Sequence, residues 1–223
     1  MTLPFIIAID GPAASGKGTL ARRLAERFGL AHLDTGSLYR VTAFLVLIRG
    51  GDPADPATAE WAAEQVPATL LQDPSLIYGP RLRTEAVGAA ASVMATLPAV
   101  RAALLSFQRS FAHHPPAPAI GAVLDGRDIG TVVCPNANLK LFITASAESR
   151  AERRVKELRE AGAPAIYDAV LQDMRERDAR DSERRVAPLS VAPDAVTIDT
   201  TSLDPEQVFE LASDLIARHA ARH

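Results

Sequence analysis

Cysteine is almost absent. Cys134 stands alone among 223 residues, which excludes an intrachain disulfide and any cysteine-built zinc site. A reducing cytoplasm is the expected location, and Cys134 in "TVVCPN" reads as a small packing residue. Lysine is scarce as well: Lys17, Lys140 and Lys156 are the three, and the rest of the 24 basic residues are arginine. There is no excess of positive charge, since 27 acidic residues leave a formal net charge of -3, and no basic tail that would coat nucleic acid. No apolar run approaches the roughly 18 residues of a membrane span. The longest beyond the N-terminus is "VTAFLVLI" at 41 to 48. The start "MTLPFIIAID" lacks a basic lead and a small-residue cleavage site, so it reads as a strand rather than a signal peptide.

What is present describes an ordinary globular α/β chain, with 48% apolar and 23% charged residues. The length suits a single domain, 1–223, with small insertions. Strand-like runs occur at 5–9, 31–34, 119–125, 139–145 and 195–199. Helices are expected at about 16–28, 36–49, 84–112, 146–161, 164–183 and 204–219. That alternation predicts a mostly parallel five-stranded sheet with helices on both faces. Two regions interrupt it. One is a long excursion, 50–118, opening with "GGDPADPATAE" and closing with "HHPPAPA". The other is the Arg- and Glu-rich stretch 148–185, split by Gly162 and Pro164, which reads either as a mobile hairpin over a site or as a solvated charged hairpin.

Chemistry concentrates in three turns that follow strands. "IAIDGPAASGKGTL" supplies Gly11, Pro12, Ala13, Ala14, Ser15, Gly16, Lys17, Gly18 and Thr19, a phosphate-cradling loop at the start of a helix. Gly18 stands where a Walker A motif wants Ser or Thr, and the hydroxyl is displaced to Thr19. That displacement suggests a Mg²⁺ held more by phosphates and water than by the loop. "LDTGSLYR" places Asp34, Thr35, Tyr39 and Arg40 at the carboxyl end of the second strand, where an open parallel sheet meets a second substrate. Arg40 suits a bidentate bond to phosphate. A bare Asp-Thr-Gly also fits an aspartic protease, but that chemistry needs a paired carboxylate in a β-rich fold. "LDGRDIG" adds Asp125 as a candidate for a metal's water shell, Arg127 for phosphate and Asp128 for a base; a salt-bridged turn is the bland alternative.

"IDGPAASGKGT", "LDTGSLYR", "DGRDIGTVV" and "RERDARD…RRVAPL", in this order and spacing, resemble the bacterial cytidylate kinases over nearly the whole chain. The resemblance implies a P-loop NTPase fold with a monophosphate-binding insertion at 50–118 and a helical lid at about 150–168. It implies transfer of the ATP γ-phosphoryl group to CMP and dCMP, with Mg²⁺ near Thr19 and Asp125. By the same resemblance Gly11 to Thr19 bind ATP, with Lys17 catalytic. Arg40, Arg127 and Arg184 hold the CMP phosphate, and Ser92, Arg101 and Asp128 read the cytosine, with Thr35 contributing. Arg177 and Asp181 fall on the ribose. Arg150 and Arg154 lie on the lid near the ATP phosphates, and in so Arg-rich a helix Arg153 could substitute for either. The chemistry agrees, because phosphoryl transfer needs alignment and positive charge rather than covalent help. Cytosine offers an amine donor beside an acceptor, which a carboxylate next to a guanidinium matches and uracil does not. Small-molecule substrates, no nucleic acid, no membrane and a monomer are expected.

One segment departs from the family. Relatives carry a small β-meander before a stretch like "LRTEAV", and here "ATLLQDPSLIYGPR" at 68–81 is too short for it. Rival readings are an adenylate, shikimate or dephospho-coenzyme A kinase, a GTPase-like switch and an RNA-binding module. The switch lacks an Asn-Lys-x-Asp motif, and the RNA module would have to use an Arg run interleaved with equal numbers of acids.

Overall fold

The computed structural model describes residues 4–160 and 162–220. The first three residues of the expected N-terminal strand region and Ala161, the last of the helix expected at 146–161, lie outside the described residues. The chain folds as two compact units, one of residues 1–33 with 112–223 and one of residues 34–111.

The first unit is built on a five-stranded sheet of order β2-β3-β1-β4-β5. Its strands are β1 (Phe5–Asp10), β2 (Ala31–Asp34), β3 (Gly121–Gly126), β4 (Leu139–Thr144) and β5 (Val196–Asp199). β1 pairs in parallel with β3, Ile9 opposite Asp125, and with β4, Ile9 opposite Leu141. The five expected strands are therefore all present. β1 is an unbroken apolar run because a central parallel strand is covered on both faces, and Ile7, Ala8 and Ile9 are fully buried. Helices α1 (Lys17–Phe28) and α8 (Pro205–Ala220) close one core, in which Leu20, Leu24, Val208 and Ile216 pack on Ile7, Val123, Leu141 and Ile143. The sheet order reverses at β1, so its carboxyl end and those of β3 and β4 open onto one crevice, the place where such sheets bind ligands. α6 (Ala147–Glu160) and α7 (Tyr167–Glu183) form the charged hairpin of this unit.

The second unit begins at Asp34, ahead of the expected excursion, and takes in α2 (Thr35–Leu47). α2 packs on α3 (Pro56–Gln72) and α4 (Glu85–Met94). α3 is a finding the sequence reading missed. Asp55 caps it by accepting from the Thr58 amide at 2.9 Å, Pro56 fills its first turn, and Ala59, Ala62, Ala63 and Val66 are buried at helical spacing. The segment 68–81 carries no strand: it is the end of α3 and tight 3₁₀ turns at Pro74–Tyr78 and Pro80–Arg83. The single helix expected over 84–112 is corrected to two, α4 and α5 (Pro98–His113), bent by 99° at the break. Pro98 is the cause, since it removes a donor and bars Leu97 from helical geometry. Among the described residues no single helix is long and apolar enough to cross a membrane.

Candidate active site

The loop between β1 and α1 has the backbone of a phosphate cradle. Gly11 has φ 152, and a Cβ there would stand 2.0 Å from the Ile143 carbonyl oxygen, so only glycine fits. Gly16, at φ 92, is the left-handed residue that starts α1. Lys17 Nζ donates to the Pro12 carbonyl at 3.0 Å and is nearly buried, which holds the ammonium inside the curve of the loop. Thr19 is exposed in the first turn of α1.

Two arginines of α6 support the loop from behind. Arg150, only 5% exposed, donates to the Ala145 and Ala13 carbonyls and pairs with Asp178 of α7 at 2.6 Å. Arg153 donates to Thr200 Oγ1 at 2.9 Å, and that hydroxyl lies 3.1 Å from the Ser15 carbonyl. Arg154 is half-exposed and pairs with Glu157 on its own helix at 3.2 Å. The three arginines thus divide: Arg150 touches the loop, Arg153 reaches it through Thr200, and Arg154 faces outward.

Asp10 was not singled out in the sequence, yet it organises the next turn. Its carboxylate accepts from the amides of Ile129 at 2.8 Å and Gly130 at 2.7 Å, capping a wide turn, Ile129–Val133, in which the Val133 and Cys134 amides reach back five residues. Burial pushes the Asp10 carboxyl up from 3.8 to about 6, with the nearby Asp128 charge adding to it and the two amides and Lys17 opposing. A raised pKa favours the protonated folded form. This group's contribution to stability is therefore complete below about pH 3.8 and lost as the pH rises through about 6. Its size is about 3 kcal/mol by linkage. Carbon-13 NMR of labelled aspartate is expected to show one carboxyl titrating near 6, absent in Asp10→Ala; all carboxyls titrating below 5 would contradict it.

Beyond that turn lies a buried ion cluster. Arg127 Nε donates to Asp181 Oδ2 at 2.7 Å, while Arg184 approaches Asp181 Oδ1 and Asp128 Oδ1, each at 3.8 Å. Arg184 is also held by the Ala187 carbonyl. Burial pushes the Asp181 carboxyl up, and the guanidiniums of Arg127, Arg177 and Arg184 more than offset it, leaving it below the ordinary aspartate value. The structure therefore gathers Arg127, Asp128, Arg177, Asp181 and Arg184, from the β3 turn and α7, into one group. Guanidiniums gathered in this way present the forked donors that suit a phosphate group.

Asp125, at the end of β3, is buried beside the phosphate loop. Its Oδ1 is 2.8 Å from His32 Nε2, and its Oδ2 would be 3.6 Å from a Cβ on Gly18. Among the described residues no group of three or more His, Cys, Asp or Glu side chains could hold a metal ion by itself. A lone carboxylate beside a phosphate loop fits Mg²⁺, a hard cation that keeps its waters and takes one or two carboxylates plus substrate phosphates.

In the second unit Asp34 proves to be the cap of α2, accepting from the Ser37 amide at 3.2 Å and its hydroxyl at 2.7 Å. Thr35, Ser92 and Arg101 are buried. Arg101 lies over the Tyr39 ring at 5.8 Å. Arg40 donates to the Leu82 carbonyl at 2.8 Å, and a Cβ on Gly88 would come within 3.3 Å of its NH1, so a glycine there leaves room for the guanidinium.

A model of the family "Cytidylate kinase" matches residues 7–218. The chain belongs to the cytidylate kinase family. A cytidylate kinase of Paramagnetospirillum magneticum is 57% identical over 211 residues, covering 95% of this chain and 97% of its own. One of Rhodospirillum rubrum is 54% identical, covering 97% and 99%. One of Acidiphilium cryptum is 51% identical over 222 residues, covering 100% of both chains. A solved structure of an uncharacterized protein from Eubacterium ventriosum covers 96% of this chain and 98% of its own at a TM-score of 0.53 and 15% identity, a likeness of fold alone. The adenylate, shikimate and dephospho-coenzyme A readings are not favoured by these relatives.

Sequence reasoning found the members of the ion cluster and the phosphate loop but missed Asp10, His32, Asp178 and Thr200. Asp10 ends β1, where a polar residue closing an apolar run is itself a signal, whereas His32 lies inside the four-residue β2. Asp178 and Thr200 carry no such mark, because their partners lie 28 and 185 residues away.

Proposed function

We propose that the protein transfers the γ-phosphoryl group of ATP to CMP and dCMP, giving ADP and CDP or dCDP. The observation that carries this reading is the cytidylate kinase match over residues 7–218. Gly11 to Thr19 hold the ATP phosphates through backbone N–H groups at the start of α1, where the helix dipole adds to them. Lys17 leaves the Pro12 carbonyl to follow the β- and γ-phosphates. Arg127 and Arg184 receive the CMP phosphate and stabilise charge as the phosphoryl group moves, with Arg154 assigned to the same task from the lid. Arg150 supports the ATP loop. Asp128 reads the cytosine amine, and Arg177 and Asp181 hold the ribose.

In the 34–111 unit, Arg40 is assigned to the CMP phosphate and Thr35, Tyr39, Ser92 and Arg101 to the base and its surroundings. Mg²⁺ would be held by the nucleotide phosphates, with Thr19 and Asp125 acting through water, and it would neutralise charge on the transferring group. Residues 50–118 act as the monophosphate-binding insertion and about 150–168 as a lid that excludes water. We further assign the protein to the cytoplasm, as a monomer working in pyrimidine nucleotide metabolism.

An assay coupling ADP release to CMP, dCMP, UMP, AMP and GMP tests the proposal. CMP and dCMP are expected to support the fastest turnover. Equal rates with all five acceptors, or none with CMP, would overturn it.

A further inference from the structure

Thr200 follows β5, and its hydroxyl stands between two carbonyls. Oγ1 lies 3.1 Å from the Ser15 carbonyl in the phosphate loop and 3.1 Å from the Thr144 carbonyl at the end of β4. The residue is buried, only 2% exposed. Arg153 of α6 clasps it with a guanidinium fork, NH1 donating to Oγ1 at 2.9 Å and NH2 to the Thr200 carbonyl. A hydroxyl has one proton. Accepting from Arg153 turns that proton toward the two carbonyls, and the Thr144 carbonyl already receives the Thr200 amide at 2.8 Å. The Ser15 carbonyl is therefore where the hydroxyl adds a constraint.

A trans peptide is planar, so its C=O and N–H point in opposite directions. Holding the Ser15 carbonyl toward Thr200 thus aims the Gly16 N–H the other way. Gly16, at φ 92, is the residue at which the loop turns into α1, and glycine gives the 15–16 peptide a freedom that an outside contact must restrict. We propose that Thr200, clasped by Arg153, is a positioning residue for the ATP site: by holding the Ser15 carbonyl it aims the Gly16 amide at a nucleotide phosphate oxygen. This rests on the ATP reading given above. An amide fixed before the ligand arrives is what anion binding at a helix start requires. Arg153, which the sequence left as an alternative to the lid arginines, acquires a task behind the loop instead of at the moving phosphoryl group.

Calorimetry and amide NMR with a non-hydrolysable ATP analogue test this without turnover. In the wild type the Gly16 amide proton is expected to move downfield as the analogue binds. Thr200→Val, similar in size but without the hydroxyl, is expected to lower analogue affinity by about tenfold, the scale of one amide bond to a charged acceptor, and to shrink the Gly16 shift. CMP affinity measured alone should not change. Thr200→Ser, which keeps the hydroxyl, should restore most of the loss. Adding Arg153→Met to Thr200→Val should cost little more, because both act through one hydroxyl. Should the Val variant not fold, Arg153→Met alone is expected to weaken the analogue and spare CMP. A Val variant that binds the analogue as tightly as the wild type overturns the role of Thr200 and leaves the kinase reading standing. So does an equal loss of CMP affinity, a Ser variant no better than Val, or a wild-type Gly16 amide that the analogue leaves unshifted. Additive losses in the double variant overturn the part given to Arg153. A wild type that does not bind the analogue overturns the ATP reading and this proposal with it.

Discussion

Lys17→Met is expected to leave a folded protein whose turnover is reduced by about a hundredfold or more, the scale of losing one preorganised electrostatic group. The folded state depends little on this ammonium. It donates to the Pro12 carbonyl at 3.0 Å, within the same loop, and a methionine of similar length refills the space left by the stem. Catalysis depends on it more, because the γ-phosphoryl group carries its charge between donor and acceptor and only a cation on a flexible stem can follow. A second consequence is independent of substrate. Lys17 holds the Asp10 carboxyl down, so its removal should move that titration above about 6. Measured kcat, a thermal melt and the Asp10 titration check the three statements together. Normal turnover would remove Lys17 from the reaction, and an unfolded variant would make it structural.

Arg150 and Arg153 tie α6 to the loop between β1 and α1. α6 ends of Arg150 and Arg153 grip the loop at Ala13 and, through Thr200, at Ser15, and Arg150 also pairs with Asp178 of α7. A motion of α7 alone would have to break the Arg150 to Asp178 pair, which is charge-assisted and mostly buried. These bonds hold α6 to the loop, whereas Gly162, just beyond the helix, has φ 75 and nothing within 4 Å of a Cβ.

The sheet was legible because each strand is a short apolar run ended by a turn residue, and buried parallel strands need nothing else. The phosphate loop was legible because its glycines answer a backbone need: Gly11 has no room for a Cβ and Gly16 is left-handed. Helix α3 was hidden by the prolines of "DPADPATAE" and by Pro67 within it, although Asp55, Pro56 and the buried alanines spelled a capped helix. The α4 to α5 break was announced by Pro98 and overridden by the apolar periodicity on either side. At the site, residue types were readable and partners were not. Nothing local says that Arg127 spends its Nε on Asp181, 54 residues on, or that Arg150 is committed to backbone carbonyls while Arg154 is left half-exposed. Chemistry is carried by residue type, whereas charge pairing is decided by which strand ends the sheet brings together.

Asp181→Asn should lower stability by about 3 kcal/mol at neutral pH and cut kcat/KM for CMP by about a hundredfold or more. The carboxylate sits among Arg127, Arg177 and Arg184, so its neutral amide removes the negative charge that faces three guanidiniums. Removing one member of a buried pair costs more than the pair was worth, because the remaining charge stays desolvated. The loss has a sign in pH. The Asp181 pKa is lowered in the folded state, so its contribution is present above the ordinary aspartate value of 3.8 and disappears as the pH falls through the lowered one. Urea unfolding should thus show the full gap between wild type and variant at pH 7 and a smaller gap at pH 3. A gap constant with pH would trace the loss to packing rather than charge. Inorganic phosphate adds the second test: if Arg127 and Arg184 form an anion site, the dianion replaces the missing charge, and phosphate should raise the melting temperature of Asp181→Asn more than that of the wild type. An equal or smaller rise in the variant would mean that the guanidiniums are held for structure and do not receive the CMP phosphate.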